Sequence, residues 1–116
     1  MALPPAAPPL PSSPAALQGV RVIEMGQLIA GPFCGKTLGE FGADVIKIEA
    51  PETGDPLRNW RLIKEGTSVW WQVQSRNKRS VALDLRQKEG QDIARQLIAE
   101  ADVLVENFRP GTLEGW

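Results

Sequence analysis

The sequence predicts an α/β domain: a Rossmann-like, mostly parallel sheet with flanking helices. Two observations carry this. Short runs of β-branched residues alternate with segments of helical period, in the order strand, helix, strand, and the order then repeats. Units of this size join parallel strands through right-handed crossovers. The 116 residues suffice for one domain with a single core.

Residues 1–16 contain Ala, Pro, Leu and Ser and no charged side chain. Such a segment cannot bury enough surface to order itself, so it is expected to be a disordered tail, with the fold occupying 17–116. It lacks the basic start of a signal peptide and the arginines of a transit peptide, which leaves a cytoplasmic setting as the expectation.

The first unit spans 20–49. Val20, Val22 and Ile23, followed by Met25, form the first strand, and residues 26–32 form a turn-rich loop. Pro32 suits a first helical position, where its missing N–H costs nothing. Phe33, Thr37, Leu38 and Phe41 recur as a buried helical stripe would. Gly42 is placed to end the helix, and 43–49 supplies the second strand. The breakers between 50 and 56 read as a loop. Residues 57–65 have no clear period. Val69, Trp70, Trp71 and Val73 fit a short helix or an edge strand, and the pattern leaves both open. Residues 75–79 read as a polar, basic turn that stays solvated.

In the second unit Val81, Leu83 and Leu85 alternate with Ala82 and Asp84 as a third strand. Residues 88–101 follow as a helix with Ile93, Leu97, Ile98 and Ala101 on its buried face. Residues 102–106 form the fourth strand, and 107–111 a loop leading towards another helix. Ala-Asp-Val follows the helix in both units, a recurrence that any α/β protein can show.

Ligands of parallel sheets sit outside the carboxyl ends of the strands, against helix N-termini. Here that edge gathers 27–31, Glu49 and Ala50, 84–86, and 107–111, with Arg86 and Arg109 as guanidinium groups able to take a phosphate. No Gly-x-Gly-x-x-Gly follows the first strand, and Gly35-Lys36-Thr37 lies inside the helix, so neither nucleotide fingerprint applies. Glu49 and Asp55 could be paired acids, but in a Pro-rich loop solvated carboxylates are the more common outcome.

Composition narrows the function classes. Hydrophobic residues make up 42% and charged residues 23%, as in an ordinary soluble globular protein. The net charge of −1 speaks against a general nucleic-acid binder, and no apolar run reaches the length of a membrane span. Histidine is absent and Cys34 is the only cysteine. His-based triads, cysteine clusters and most zinc sites are thereby excluded, and no metal is expected.

Six stretches, in order, carry a resemblance: Leu17-Gln18-Gly19-Val20-Arg21-Val22, Ala30-Gly31-Pro32, Gly42-Ala43-Asp44-Val45-Ile46-Lys47-Ile48-Glu49, Gly54-Asp55-Pro56, Asn77-Lys78-Arg79-Ser80-Val81 and Val105-Glu106-Asn107-Phe108-Arg109-Pro110-Gly111. Together they resemble the amino-terminal part of the family III CoA-transferases, the formyl-CoA and carnitine CoA-transferase group. The resemblance implies an incomplete, amino-terminal part of that fold. It also implies transfer of coenzyme A from an acyl-CoA to a carboxylic acid, with the thioester as substrate and no cofactor. An aspartate would attack the thioester and later carry CoA as an aspartyl thioester. Carried over residue by residue, the CoA contacts implied are Gln27, Leu28, Ala30, Leu83, Arg86, Asn107 and Phe108. The family assembly implied is an interlaced homodimer.

Ala50 stands where some members have an Arg, and Ile29 where formyl-CoA transferases have a Gln, so acyl specificity is open. None of the aspartates present matches the family's nucleophile, which is expected beyond Trp116. The chain therefore reads as a fragment with CoA-site elements and no turnover of its own. Two alternatives stand beside this reading. One is the α-methylacyl-CoA racemase branch, disfavoured by the long insert over 51–74. The other is a non-catalytic module binding a nucleotide or a partner.

Overall fold

The computed structural model describes residues 13–116. Of the tail expected over 1–16, residues 1–12 lie outside the described residues. Residues 13–16 are exposed. Leu17 is tied in by its N–H, which donates to the Phe41 carbonyl at 2.8 Å.

The elements run β1 (Arg21–Glu24), α1 (Ala30–Glu40), β2 (Asp44–Glu49), a 3-10 turn (Pro56–Asn59), β3 (Ile63–Lys64), β4 (Thr67–Ser68), α2 (Val69–Gln74), β5 (Lys78–Ala82), α3 (Lys88–Ala99) and β6 (Val103–Val105). Strands β5-β2-β1-β6 form one sheet, and every pairing in it is parallel. This is the α/β architecture expected from the sequence. No helix among the described residues is long and apolar enough to cross a membrane.

Side chains alternate between the two faces of each strand. On one face Ile23, Met25, Ile46 and Ile48 pack with Ala94 of α3, joined by Val81, Leu97 and Ile98. On the other, Val22, Ala43 and Val45 pack with Leu38 of α1. Further along this second face the alternate positions are Glu24, Lys47 and Glu49, all buried. Charged residues thus occupy places that parallel sheets usually fill with Val, Ile and Leu.

Helix α1 corrects the expected stripe. Phe33 and Phe41 are 54% and 58% exposed, whereas Gly31, Pro32, Gly35 and Gly39 are buried. The three glycines recur every fourth residue and bring the helix backbone down onto the sheet. A Cβ on Gly35 would collide with the Glu24 carboxylate, and one on Gly39 would lie 3.1 Å from the Asn77 carbonyl oxygen. The charged face of the sheet therefore selects the small side of the helix. The helix also begins at Ala30, so Pro32 is its third residue rather than its first. A proline is tolerated there because the first four N–H groups have no partner within the helix. Gly42 follows the helix with φ +101°, the left-handed stop expected of it.

The third strand is also corrected. It occupies Lys78–Ala82, earlier than the alternation of 81–85 suggests. It pairs with β2 from Val45↔Lys78 to Glu49↔Ala82, and only Leu83 N–H extends the contact, donating to the Glu49 carbonyl. The strand signal was obscured because a buried charge, Lys78, opens it. In α3, Ile93 is 45% exposed while Gly90 and Ala94 are buried. Small residues again make the close contact: a Cβ on Gly90 would strike the Asp84 carbonyl.

The insert between β2 and β5 folds compactly. Ile63-Lys64 and Thr67-Ser68 pair antiparallel across Glu65-Gly66, both at positive φ, as a two-residue hairpin turn requires. Ser68 then caps α2 by accepting from Trp71 N–H, which resolves the Val69–Val73 ambiguity in favour of helix. Beyond β6 the chain runs through turns over 110–115, and Leu113 and Trp116 pack against the α3 face of the core.

Gly35→Ala is expected to cost about 2 kcal/mol or more, because the added methyl overpacks a buried contact. Cys34→Ala, on the exposed side of the same helix, is expected to be near neutral. Urea unfolding of the two variants checks this; equal midpoints would refute the close-approach account.

Candidate functional site

The carboxyl ends of the strands converge on a cavity of about 380 Å³. Met25 and Gln27 line it after β1, Ile48 to Thr53 at the end of β2 and beyond, Leu83 to Arg86 after β5, and Phe108 and Trp116 after β6. This is the edge the strand order designates for ligands. Of the sequence-predicted site residues, Gln27, Leu83, Arg86 and Phe108 stand together on its wall. Leu28, Ala30 and Asn107 do not line it. Ala30 opens α1, and Leu28 and Asn107 belong to the framework behind Gln27.

That framework accounts for the loop backbone almost group by group. Lys47 Nζ donates to the Gly26 carbonyl at 2.7 Å. Asn107 Oδ1 accepts from Gln27 N–H at 2.7 Å, and its Nδ2 donates to the Gln27 carbonyl at 3.0 Å. Asp55 Oδ1 accepts from Leu28 N–H at 3.0 Å. Leu28 has φ 61°, a left-handed conformation that disfavours a bulky side chain. Gly26 and Gly31 come so close that a Cβ on either would lie 2.6 Å from the other's Cα.

Lys47 and Asp55 belong to a buried ionic cluster beneath α1. Glu24 Oε1 accepts from Lys47 at 2.7 Å, and Glu24 Oε2 lies 2.6 Å from Lys78 Nζ. Lys47 also reaches Asp55 Oδ2 at 2.9 Å. Lys78 donates in addition to the Pro32 carbonyl of α1 at 2.7 Å. Burial pushes the Lys78 ammonium below its ordinary pKa, and the Glu24 carboxylate opposes that shift. Glu49 continues the cluster. Arg58 grips it with two bonds of 2.8 Å, Ser80 Oγ donates at 2.6 Å, and Asp55 N–H at 2.8 Å. Burial alone would raise the Glu49 pKa. The hydrogen bonds from Arg58, Ser80 and Asp55 overcome it and bring the value down to about 2 from the usual 4.5. Three carboxylates (Glu24, Asp55, Glu49) thus meet three cations (Lys47, Lys78, Arg58).

This overturns two expectations. Glu49 and Asp55 are 6% and 2% exposed, not solvated loop acids. In the basic stretch 76–79, Arg76 and Arg79 are exposed and pair with Glu40 and Asp44, but the Lys78 side chain is 3% exposed. Sequence reasoning missed both because a buried charge is recognised by its partners, and these come from other strands. The available signal was the alternation Val45-Lys47-Glu49 on one face of a strand certain to be central.

On the cavity wall Arg86 is held by Asp84 through Nε at 2.8 Å and Nη2 at 3.1 Å, which keeps the Asp84 pKa below the usual carboxylate range. Phe108 and Trp116 meet edge to face with centroids 5.2 Å apart. Trp116 was not among the sequence-predicted site residues.

Comparison with known proteins is consistent with this architecture. Residues 17–116 match the family model for CoA-transferase family III. The chain is 52% identical over 104 residues to succinyl-CoA–D-citramalate CoA-transferase of Chloroflexus aurantiacus, covering 89% of this chain and 26% of that protein. It is 42% identical over 99 residues to formyl-CoA:oxalate CoA-transferase of Escherichia coli, covering 84% and 24%. A crystal structure of a CaiB/BaiF family protein from Brucella suis superposes with a TM-score of 0.80 at 42% identity, over 89% of this chain and 28% of that one. The chain spans about a quarter of the length of the relatives it matches.

The Glu49 pKa carries a pH prediction. Its folded value lies below the unfolded one, so its stabilisation is complete above about pH 4.5 and is lost as pH falls towards 2. The loss is expected to reach up to ~3 kcal/mol. Glu49→Gln should flatten the urea-unfolding profile between pH 4.5 and 2. A variant profile that keeps the wild-type slope there would contradict the assignment.

Proposed function

Because the chain belongs to CoA-transferase family III, we propose that it supplies the coenzyme A-binding edge of an acyl-CoA:carboxylate CoA-transferase. The observation that carries this is the cavity where all four parallel strands end. Its wall brings together Gln27, Leu83, Arg86 and Phe108. CoA bound here touches those four, while Leu28 and Asn107 shape the Gln27 loop from behind and Ala30 opens the helix beside it.

The charges on the wall orient the ligand. Glu49, Glu52 and Asp84 share the wall with Arg86, the one cation there among the described residues, so the interior does not favour phosphate. The uncharged parts of CoA lie against Met25, Leu83, Phe108 and Trp116, and the phosphates stay at the solvent-facing rim near Arg86. The donor is an acyl-CoA and the acceptor a carboxylic acid.

The chemistry proposed is covalent catalysis by an aspartate. Its oxygen attacks the thioester carbonyl, the C–S bond breaks, and CoA leaves as thiolate from a mixed anhydride. The thiolate then attacks the aspartyl carbonyl of the anhydride, releasing the donor acid and leaving an aspartyl thioester. The acceptor carboxylate repeats the two steps in reverse. The five aspartates present are each occupied: Asp44 by Arg79, Asp55 by Lys47, Asp84 by Arg86, Asp92 by Lys88, and Asp102 by the Arg21 N–H. Glu49 on the cavity wall is pinned by Arg58 and acidic. These contacts support the reading that none of the five aspartates is the nucleophile. Relatives named as transferases support this branch over racemisation.

Phe33 on α1, Phe41 just after it, and Val103 and Leu104 on β6 are exposed apolar side chains that an interlaced homodimer would cover. Exposed, unpaired Cys34 suits a reducing cytoplasm.

Titration of the 116-residue chain with CoA, followed by amide NMR, is expected to shift Gln27, Leu83, Arg86 and Phe108. It is also expected to show no exchange of CoA between a thioester and a free acid. Shifts confined to other surfaces would refute the site, and measurable exchange would refute the reading that none of the five aspartates is the nucleophile.

A further inference from the structure

We infer that Asp55 and Lys47 are positioning residues: they hold the loop Gly26-Gln27-Leu28 in its ligand-receiving shape without touching the ligand. The inference rests on the CoA-site reading for its functional consequence, but its structural content stands apart from it.

Neither residue lines the cavity, and Asp55 and Lys47 are 2% and 1% exposed. Both nevertheless end on the loop that leads from β1 to the cavity wall. Lys47 donates to Glu24 Oε1 and to the Gly26 carbonyl, both at 2.7 Å, and its ammonium lies 2.9 Å from Asp55 Oδ2 as an ion pair. Asp55 divides its two oxygens. Oδ2 faces Lys47, while Oδ1 accepts from Leu28 N–H at 3.0 Å and from Leu57 N–H at 2.8 Å. One carboxylate thus ties the loop after β1, the loop after β2 and the following 3-10 turn to a buried ammonium.

The conformation held is one the loop does not favour alone. Leu28 at φ 61° costs on the order of 1–2 kcal/mol. Such a residue persists only where its surroundings over-determine it, and here the N–H of the strained residue is bonded to the buried carboxylate. Asn107 fixes the preceding residue through both its backbone groups. A loop held in this way meets its ligand already ordered, so little conformational entropy is lost on binding. Asp55→Asn keeps an oxygen for Leu28 but removes the charge facing Lys47. It is therefore expected to loosen the loop while leaving the sheet intact.

The test compares Asp55→Asn with Val45→Ala, which loses core packing far from the loop, with CoA itself as probe. Asp55→Asn is expected to speed hydrogen exchange at Leu28 by at least roughly tenfold, with the β2 amide of Asp44 less affected. It is also expected to weaken CoA binding about tenfold. Val45→Ala should speed exchange in the sheet and leave CoA affinity within about twofold. Wild-type CoA affinity with unchanged Leu28 exchange in Asp55→Asn overturns the inference. So does a Leu28 amide in the wild type that exchanges as fast as the turn amide of exposed Glu114, a result that needs no variant to fold. If the wild type binds no CoA at all, the CoA reading fails, and the Leu28 exchange rates alone decide whether Asp55 holds the loop.

Discussion

The contact on which the rest depends is the Lys47 ammonium, buried between Glu24 and Asp55. Taking these charges out of water is costly, and their attraction compensates only when geometry is good and every donor is used. Here Lys47 hydrogen-bonds Glu24 and the Gly26 carbonyl and pairs with Asp55 by charge at 2.9 Å, while Asp55 Oδ2 itself has no hydrogen-bond donor. The cluster is therefore weak evidence of high stability and strong evidence of a specified arrangement. Removing Lys47 would leave Asp55 buried without its ion-pair partner, while Glu24 would keep Lys78.

Several features follow from it. Helix α1 crosses the charged face of the sheet, so it must present backbone rather than bulk, and Gly31, Gly35 and Gly39 provide that. Lys78 bridges Glu24 to the Pro32 carbonyl and so fixes the start of the helix against β5. The insert after β2 is docked by Asp55, through Leu28 N–H and Lys47, and by Arg58, through Glu49. The Gly26 to Leu28 loop, which bears Gln27 on the cavity wall, hangs from Lys47, Asp55 and Asn107. Packing beneath one helix thus reaches the wall of the proposed CoA site through a few direct bonds.

The sheet was legible because its signal is local: β-branched runs alternating with helices predict parallel strands, and parallel strands predict which edge carries a ligand. That reasoning located the cavity. It failed where the deciding partner is distant in sequence. Lys78 reads as a turn residue until Glu24 is placed beside it, and β5 was shifted towards 81–85 as a result. Phe33 and Phe41 read as a buried stripe because hydrophobic period cannot sense that the opposing surface needs small residues. The Ile63–Ser68 hairpin was missed because strands of two residues carry almost no alternation, although Glu65-Gly66 was a usable turn cue. Among the site residues, Gln27, Leu83, Arg86 and Phe108 share one wall. Asn107 instead bonds the Gln27 backbone, a role invisible without coordinates.

The central claim, that a compensated buried ammonium organises the sheet, the helix and the ligand loop, is tested most directly by urea unfolding of Lys47→Met at neutral pH. Methionine fills similar volume but leaves Glu24 and Asp55 without Lys47's charge. The account predicts a loss of about 3–5 kcal/mol. A variant as stable as the wild type, with its Leu28 amide still protected, would contradict it.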